Sequence, residues 1–341
     1  MQPSRKSPVR WLAAILLAIV AAVGNAQAPA PRAPAPAAAP EVVFVAPGDP
    51  PVPLLWKVSD DDNSVYLLGS FHLLRPDDYP LSRDVNEAFA DAEAVVFELP
   101  PAEMNSPQLG LQMMQAAVRT DGTRLDSELP PATARRLQAW LDDNAAQLQA
   151  SGLTAERLQM FEPWFVGLMI SMTEMTRQGL DPRFGLDQHF IEAAGFAGKR
   201  TGGFETGAQQ IAFLDGMDRE EQLQFIDEAL SQAGTDDLRQ LHEYWRAGDG
   251  DAIWNEMGAD MRERYPKLYR HVNVERNEAW LPKIEAMLVE PGTDDTLVVV
   301  GALHLLGEDG VVEKLRAKGH AVDRICSACD MQMPVDQEKR P

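Results

Sequence analysis

The 341-residue sequence contains only two cysteines, Cys326 and Cys329, close together near its C-terminal end. That excludes a scaffold stapled by several disulfides, and it excludes a four-cysteine zinc site, of which two cysteines are half. A redox Cys-x-x-Cys would stand at a helix N-terminus after an early strand. Here the pair follows the last predicted strand, so a local structural disulfide or two idle thiols is expected. Cations are scarce as well: 31 Lys and Arg face 52 Asp and Glu, a net charge of −21. A surface of that sign repels phosphate backbones and anionic lipid, which argues against nucleic acid as a partner. No Walker loop or Gly-x-Gly-x-x-Gly occurs, and there is no Gly-x-Ser-x-Gly elbow to present a serine nucleophile. Hydrophobic residues at 45% and charged residues at 24% are those of an ordinary globular chain, so global disorder and a polytopic membrane protein are excluded too.

What is present begins with an export signal. Arg5, Lys6 and Arg10 form a basic n-region, and Trp11 to Val23 is an apolar run shorter than the roughly 20 residues a membrane span needs. Cleavage is expected after Ala26, because the competing Ala26-Gln27-Ala28 site would place Pro29 after the scissile bond. Residues 1–26 are therefore read as a signal peptide, with an uncleaved N-terminal anchor as the alternative; cleavage gives a periplasmic or secreted protein without stable membrane insertion. Loss of Arg5, Lys6 and Arg10, and of no acid, leaves 28 cations against 52 acids, or −24. Residues 27–53 are dominated by Ala and Pro and read as an extended tether. The stretch 330–341 reads as a frayed tail, which leaves 54–329 as the folded body.

The body opens with a hairpin, PLLWKV and VYLLG around an Asp-Asp-Asp-Asn-Ser turn. A helix from Asp84 to Asp91 and a strand from Ala94 to Glu98 follow. From about Pro107 to Leu288 the apolar periodicity is helical, interrupted by a short strand from Arg200 to Phe204. Strands return at Thr296–Gly301 and Ala321–Ile325, with a helix between them. The expected fold is α/β (α+β): one central mixed sheet formed by N- and C-terminal strands, with a large helical insertion. The frequent Met of the central helices is a packing feature.

Histidine is also rare, at six residues, yet two of the six share one context. Val65-Tyr-Leu-Leu-Gly69-Ser-Phe-His72-Leu-Leu74 is echoed by Leu297-Val-Val-Val-Gly301-Ala-Leu-His304-Leu-Leu306. A glycine closing an apolar strand lets the chain turn as it leaves the sheet. The histidine then sits beyond the carboxyl end of the strand, where open α/β sheets bind their ligands. Glu98 ends the third strand in the same way. Two imidazoles and a carboxylate make a divalent-metal site with open positions for water and substrate. Taken singly, each of the three is explained as readily by a loop hydrogen bond or an ion pair; the repeat favours the pair of histidines. His189, His242, His271 and His320 lack the context and read as surface or packing residues.

The doubled Gly-x-x-His with Glu98 between resembles the TraB/GumN family, which includes the Tiki proteases and is more distantly related to erythromycin esterases and ChaN-like proteins. Gly185-Leu186-Asp187, Phe204-Glu205-Thr206 with Gln210, Trp245 with Gly248-Asp249, and Glu275-Arg276-Asn277 match further motifs, as does GALHLLGEDGVVEKLRAKGHAV. Ser70 and Phe204 stand where the family more often has Thr and Leu. The resemblance covers Leu54 to Ile325 and implies a metal-dependent hydrolase of peptide, other amide or ester bonds. It places His72, His304 and Glu98 as ligands of a divalent ion such as Mn, Co or Zn. Glu205 would then be a general base or a partner of a ligand, or simply cap the helix beginning near Gly207. Arg276 and Asn277 would face a developing oxyanion, and Arg276 has an ordinary ion pair as its alternative. Asp187 is read as a helix cap in preference to a partner for a ligand histidine. Two rival readings remain: a metal-independent esterase-like hydrolase, and a non-catalytic protein with a His-lined, haem-binding pocket, the latter through the ChaN-like relatives. The substrate is a peptide or small molecule; the oligomeric state is not legible.

Overall fold

Alternating and continuous apolar runs build the sheet first. In the computed structural model, which describes residues 49–330 apart from 151, 290 and 291, β1 (Leu55–Ser59) and β2 (Ser64–Ser70) form the expected hairpin. Every residue of β2 is buried, as is every residue of β5 (Thr296–Gly301). Strands covered on both faces need no polar alternation, which is why these two read as unbroken apolar runs. Each fully buried Leu or Val in them contributes about 1.5–3 kcal/mol. The other strands are β3 (Ala94–Phe97), β4 (Arg200–Gly203) and β6 (Val322–Arg324).

The six strands lie in the order β4-β3-β5-β2-β1-β6. The four from β4 to β2 are parallel to their neighbours, while β1 runs antiparallel to both β2 and β6. The sheet is therefore mixed and is made largely of N- and C-terminal strands, with many helices between them. Four parallel strands point their carboxyl ends to one side.

Helices α1 (Arg83–Asp91), α2 (Pro107–Ala117), α3 (Pro131–Asp143) and α4 (Pro163–Arg177) precede α5 (Leu186–Ala197). After β4 come α6 (Gly207–Asp215), α7 (Arg219–Gln232), α8 (Asp237–Arg246) and α9 (Glu275–Val289), and α10 (Val311–Ala317) follows β5. Sequence punctuation sets their ends. Ser82 caps α1, and Asp218 with Glu221 forms a capping box on α7. Proline opens α2, α3 and α4, where its missing N–H costs nothing. Two π-helical turns, Trp254–Gly258 and Arg270–Val274, lead into α9.

Cys326 and Cys329 are joined as a disulfide. Its loop is pinned to α1 by Asp84, which accepts hydrogen bonds from Ser327 N at 2.7 Å and Ser327 Oγ at 2.5 Å. The expected signal peptide, the expected tether up to residue 48 and the expected tail after residue 330 lie outside the described residues. The last tether residues lie against the fold, where Val52 N donates to Arg246 O at 2.8 Å. Among the described residues no helix is long and apolar enough to cross a membrane.

Candidate functional site

The ladder of parallel strands delivers the predicted residues to one place. β2 and β5 pair in register through Ser70 and Gly301, so the two Gly-x-x-His turns leave the sheet side by side. Beyond β3 and β4 the pairing continues, with Phe204 N on Phe97 O at 3.0 Å and Glu205 N on Glu98 O at 2.9 Å. Glu205, Glu98, His304 and His72 thus follow four neighbouring strands in that order. All four side chains are buried. Arg276 and Asn277 reach the same place from the first turn of α9.

Each imidazole is held by its outer nitrogen. His72 Nδ1 donates to Asp187 Oδ2 at 2.5 Å, and the same oxygen accepts Ser70 Oγ at 2.5 Å. This corrects the expectation that Asp187 caps α5, whose cap position is Gly185. The loop explains the change. Leu186 N donates to Phe71 O, and Gly185 lies so close that a Cβ there would stand 1.9 Å from His72 O. The two segments can meet only with a glycine at 185, and the contact brings Asp187 onto His72. His304 sits in a 3-10 turn, Ala302–Leu305, and its Nδ1 donates to Asn277 Oδ1 at 2.7 Å. Asn277 Nδ2 donates to Asp309 O at 2.9 Å, which fixes the amide's orientation. Both ends of Asn277 are therefore engaged in positioning His304, where a place beside an oxyanion was expected.

With the outer nitrogens engaged, both Nε2 atoms turn inward. Glu98 Oε1 lies 3.8 Å from His72 Nε2 and 3.9 Å from His304 Nε2, and accepts Gly301 N–H at 2.9 Å. Glu98 Oε2 faces the other way and accepts Arg276 Nη2 at 2.5 Å. Arg276 also bonds Glu205 through Nε and Nη2, both at 2.8 Å, and donates from Nη1 to His304 Nε2 at 3.1 Å. Glu205 receives Trp280 Nε1 at 2.9 Å and Gln210 Nε2 at 3.0 Å as well. Four donors leave Glu205 as the anchor of Arg276, where a mobile base was one expectation. Nor is it a cap, since Thr206 caps α6. Gln210 Oε1 is buried without a hydrogen-bond partner.

Charge and burial act on these groups in opposite directions. Burial penalises the Glu98 carboxylate, but Arg276, the two histidines and the Gly301 N–H outweigh it and hold its pKa well below the ordinary range. His304 is pushed down to about 3 by burial and by Arg276, so its imidazole is neutral. Burial also works against a charged His72, yet the charge and hydrogen bond of Asp187, with Glu98 behind them, raise its pKa above the usual value. Arg276 is buried, but Glu205 and Glu98 raise its pKa further. The guanidinium lies over the Trp280 ring at 4.9 Å.

The donor set suits a divalent ion in composition and direction: two inward Nε2 atoms, each oriented by a hydrogen bond behind it, and a free carboxylate oxygen. Around a four-coordinate ion with bonds near 2.1 Å the ligand atoms stand about 3.4 Å apart, so a closing of about half an ångström is needed. Among the described residues no three His, Cys, Asp or Glu side chains already stand at coordinating spacing. At the His304 corner the Arg276 guanidinium lies on Nε2.

The sequence missed three residues of this assembly. Ser70 and Trp280 carry no pattern of their own, and Gln210 appeared only as a motif match. Of the surface and packing roles expected for His242 it has the second: it is buried against Phe71 and Trp245, with Nε2 2.8 Å from Asp78 Oδ2. The TraB/PrgY/gumN family model matches residues 54–324. The uncharacterized protein YbaP of Escherichia coli (strain K12) is 24% identical over 254 residues, 74% of this chain and 87% of that protein. YbaP of Shigella flexneri gives the same figures. No solved structure matches.

Proposed function

The chain belongs to the TraB/PrgY/gumN family, and from that premise we propose that the buried site hydrolyses an amide or ester bond with water activated by a divalent ion on His72, His304 and Glu98. One observation carries the reading: the Nδ1 atom of each of the two motif histidines is hydrogen-bonded to a dedicated acceptor, leaving its Nε2 to face the same carboxylate oxygen. The charges agree with it. Once His72 is neutral, as a ligand must be, Glu98, Glu205 and Asp187 outnumber Arg276 by two, the deficit that a divalent cation removes. When bound, such an ion lowers the pKa of its water and polarises a carbonyl.

The chain's own groups supply the rest. His72 and His304 present their inner nitrogens, and Asp187 and Asn277 hold the ring orientations. Glu98 Oε1 accepts the Gly301 N–H and keeps a second lone pair for an ion. Arg276 is the cation beside any oxyanion formed there. Gln210 Oε1 is an acceptor in want of a donor, which a substrate N–H or a water would provide. A peptide or small molecule is the substrate class, and the basic and apolar leader supports a site of action in the periplasm or outside the cell.

A second reading has an observation of its own. Because Arg276 occupies His304 Nε2, the His72–Asp187 pair could act as a general base without metal. Elemental analysis of the purified protein, with hydrolysis measured before and after chelation, separates the two. The metal reading expects bound ion that is lost in both His72→Ala and His304→Ala. Normal metal content in both folded variants would sink it, and activity that survives thorough chelation would favour the dyad.

A further inference from the structure

Arg276 connects Glu205, Glu98 and His304, and one of its bonds is out of keeping with a purely structural part. Nε and Nη2 are accounted for by Glu205 and Glu98. Nη1 instead donates to an imidazole lone pair. His304 has no second lone pair to offer, because its Nδ1 carries a proton committed to Asn277. A lone pair that accepts an N–H cannot coordinate an ion at the same time. We propose that Arg276 is an internal counter-cation that competes with the divalent ion for His304 and so sets the metal affinity of the site. The inference rests on the metal reading above and adds to it a residue that opposes loading.

The geometry allows the exchange without dismantling the cluster. Breaking the Nη1 contact leaves the guanidinium bound to Glu205 through two nitrogens and to Glu98 Oε2 through one. Glu98 is divided between the two cations: Oε2 serves Arg276, while Oε1 faces the imidazoles. Trp280 links both partners, since its ring lies 4.9 Å from the Arg276 guanidinium carbon and 4.5 Å from the His304 ring centroid. The guanidinium and the ion repel each other at close range in a buried setting, where such terms are strongest. In the metal-free protein Arg276 partly neutralises carboxylates that would otherwise be buried without a cation. The site then tolerates being empty, at a cost in affinity.

Calorimetric titration of the full chain with Zn2+ and with Mn2+ tests this, on the wild type and on Arg276→Lys, Arg276→Gln, His72→Ala and His304→Ala. Lysine keeps a charge but cannot bridge two carboxylates and an imidazole at once; glutamine removes the charge. The expected result is binding at least about tenfold tighter in both Arg276 variants, abolished when His72→Ala is added. A residue with a structural role alone would weaken binding when replaced. Unchanged or weaker binding in the Arg276 variants, with wild-type binding that depends on His72, overturns the proposal and leaves the metal reading standing. Binding that appears only in the Arg276 variants supports it. No binding of either ion to any of the proteins refutes the metal reading and this proposal together. If Arg276→Gln does not give a native circular-dichroism spectrum, Arg276→Lys decides.

Discussion

Asp187→Asn isolates the part that a single buried charge plays in holding His72. Asp187 Oδ2 accepts two short bonds, from Ser70 Oγ and His72 Nδ1, both at 2.5 Å. An asparagine oxygen in the same place can accept both, so the shape is kept and only the charge is lost. Bonds to a charged group contribute about 1.5–3 kcal/mol and neutral ones about 0.5–1.5 kcal/mol. The loss should be about 3 kcal/mol where His72 is protonated, falling toward about 1 kcal/mol where it is neutral. The direction with pH follows from the raised pKa of His72. A group whose folded pKa lies above its unfolded value stabilises fully below the unfolded value, and the contribution disappears as pH rises through the folded one. The gap between wild type and variant should therefore be widest near about pH 6.5 and just below it, and narrow toward about 1 kcal/mol at alkaline pH. Urea unfolding of the two proteins across that range measures the difference directly. A gap that is flat, or that widens with rising pH, would refute the assignment of Asp187 as the charge that favours a protonated His72.

Three further outcomes follow from local geometry. In Gly301→Ala the new Cβ would stand 3.1 Å from His72 Nε2 and 3.2 Å from Glu98 Oε1, in a backbone conformation that alanine accepts; the fold should persist while ion binding weakens at least about tenfold, and calorimetry showing wild-type affinity would contradict it. In Gly185→Ala the Cβ meets His72 O at 1.9 Å, so the loop must move; a loss of about 1–3 kcal/mol is expected, and an unchanged urea midpoint would show that this approach is not needed. Glu228, on α7, is pushed up to about 7 by burial, which the nearby Arg264 only partly offsets, so its charge destabilises the fold as pH rises from its ordinary value toward neutrality. Glu228→Gln should leave stability unchanged in acid and raise it by up to about 3 kcal/mol above neutral pH, and a variant less stable than wild type there would mean that the Arg264 pair dominates.

The hairpin, the buried strands and the helical insertion were legible because each is written in local periodicity. Thr296–Gly301 is a strand with the expected limits, and Leu54-Leu55 with the Asp-Asp-Asp-Asn-Ser turn announces the pairing of β1 and β2. The site was legible in part through the repeat: two glycines ending two apolar strands put two histidines at neighbouring strand ends. The partners of those histidines were not. Asp187 stands in the first turn of a helix, and sequence cannot tell an acidic residue that serves a helix terminus from one turned onto a loop far away in the chain. Asn277 and Arg276 are adjacent in sequence yet serve different atoms, one orienting His304 and the other bridging two carboxylates.

By itself, then, the sequence determined the elements, the mixed α/β architecture and the placing of His72, His304 and Glu98 just beyond strand ends, since each of these follows from a pattern of a few consecutive residues. Tertiary structure decided the order β4-β3-β5-β2 that sets Glu205, Glu98, His304 and His72 in a row, and the pairing of each imidazole with its acceptor. It also decided that Glu205 anchors Arg276. Those outcomes depend on side chains brought together from segments 27 to 115 residues apart, and hydrogen-bond partners at such separations leave no periodic trace in a single chain.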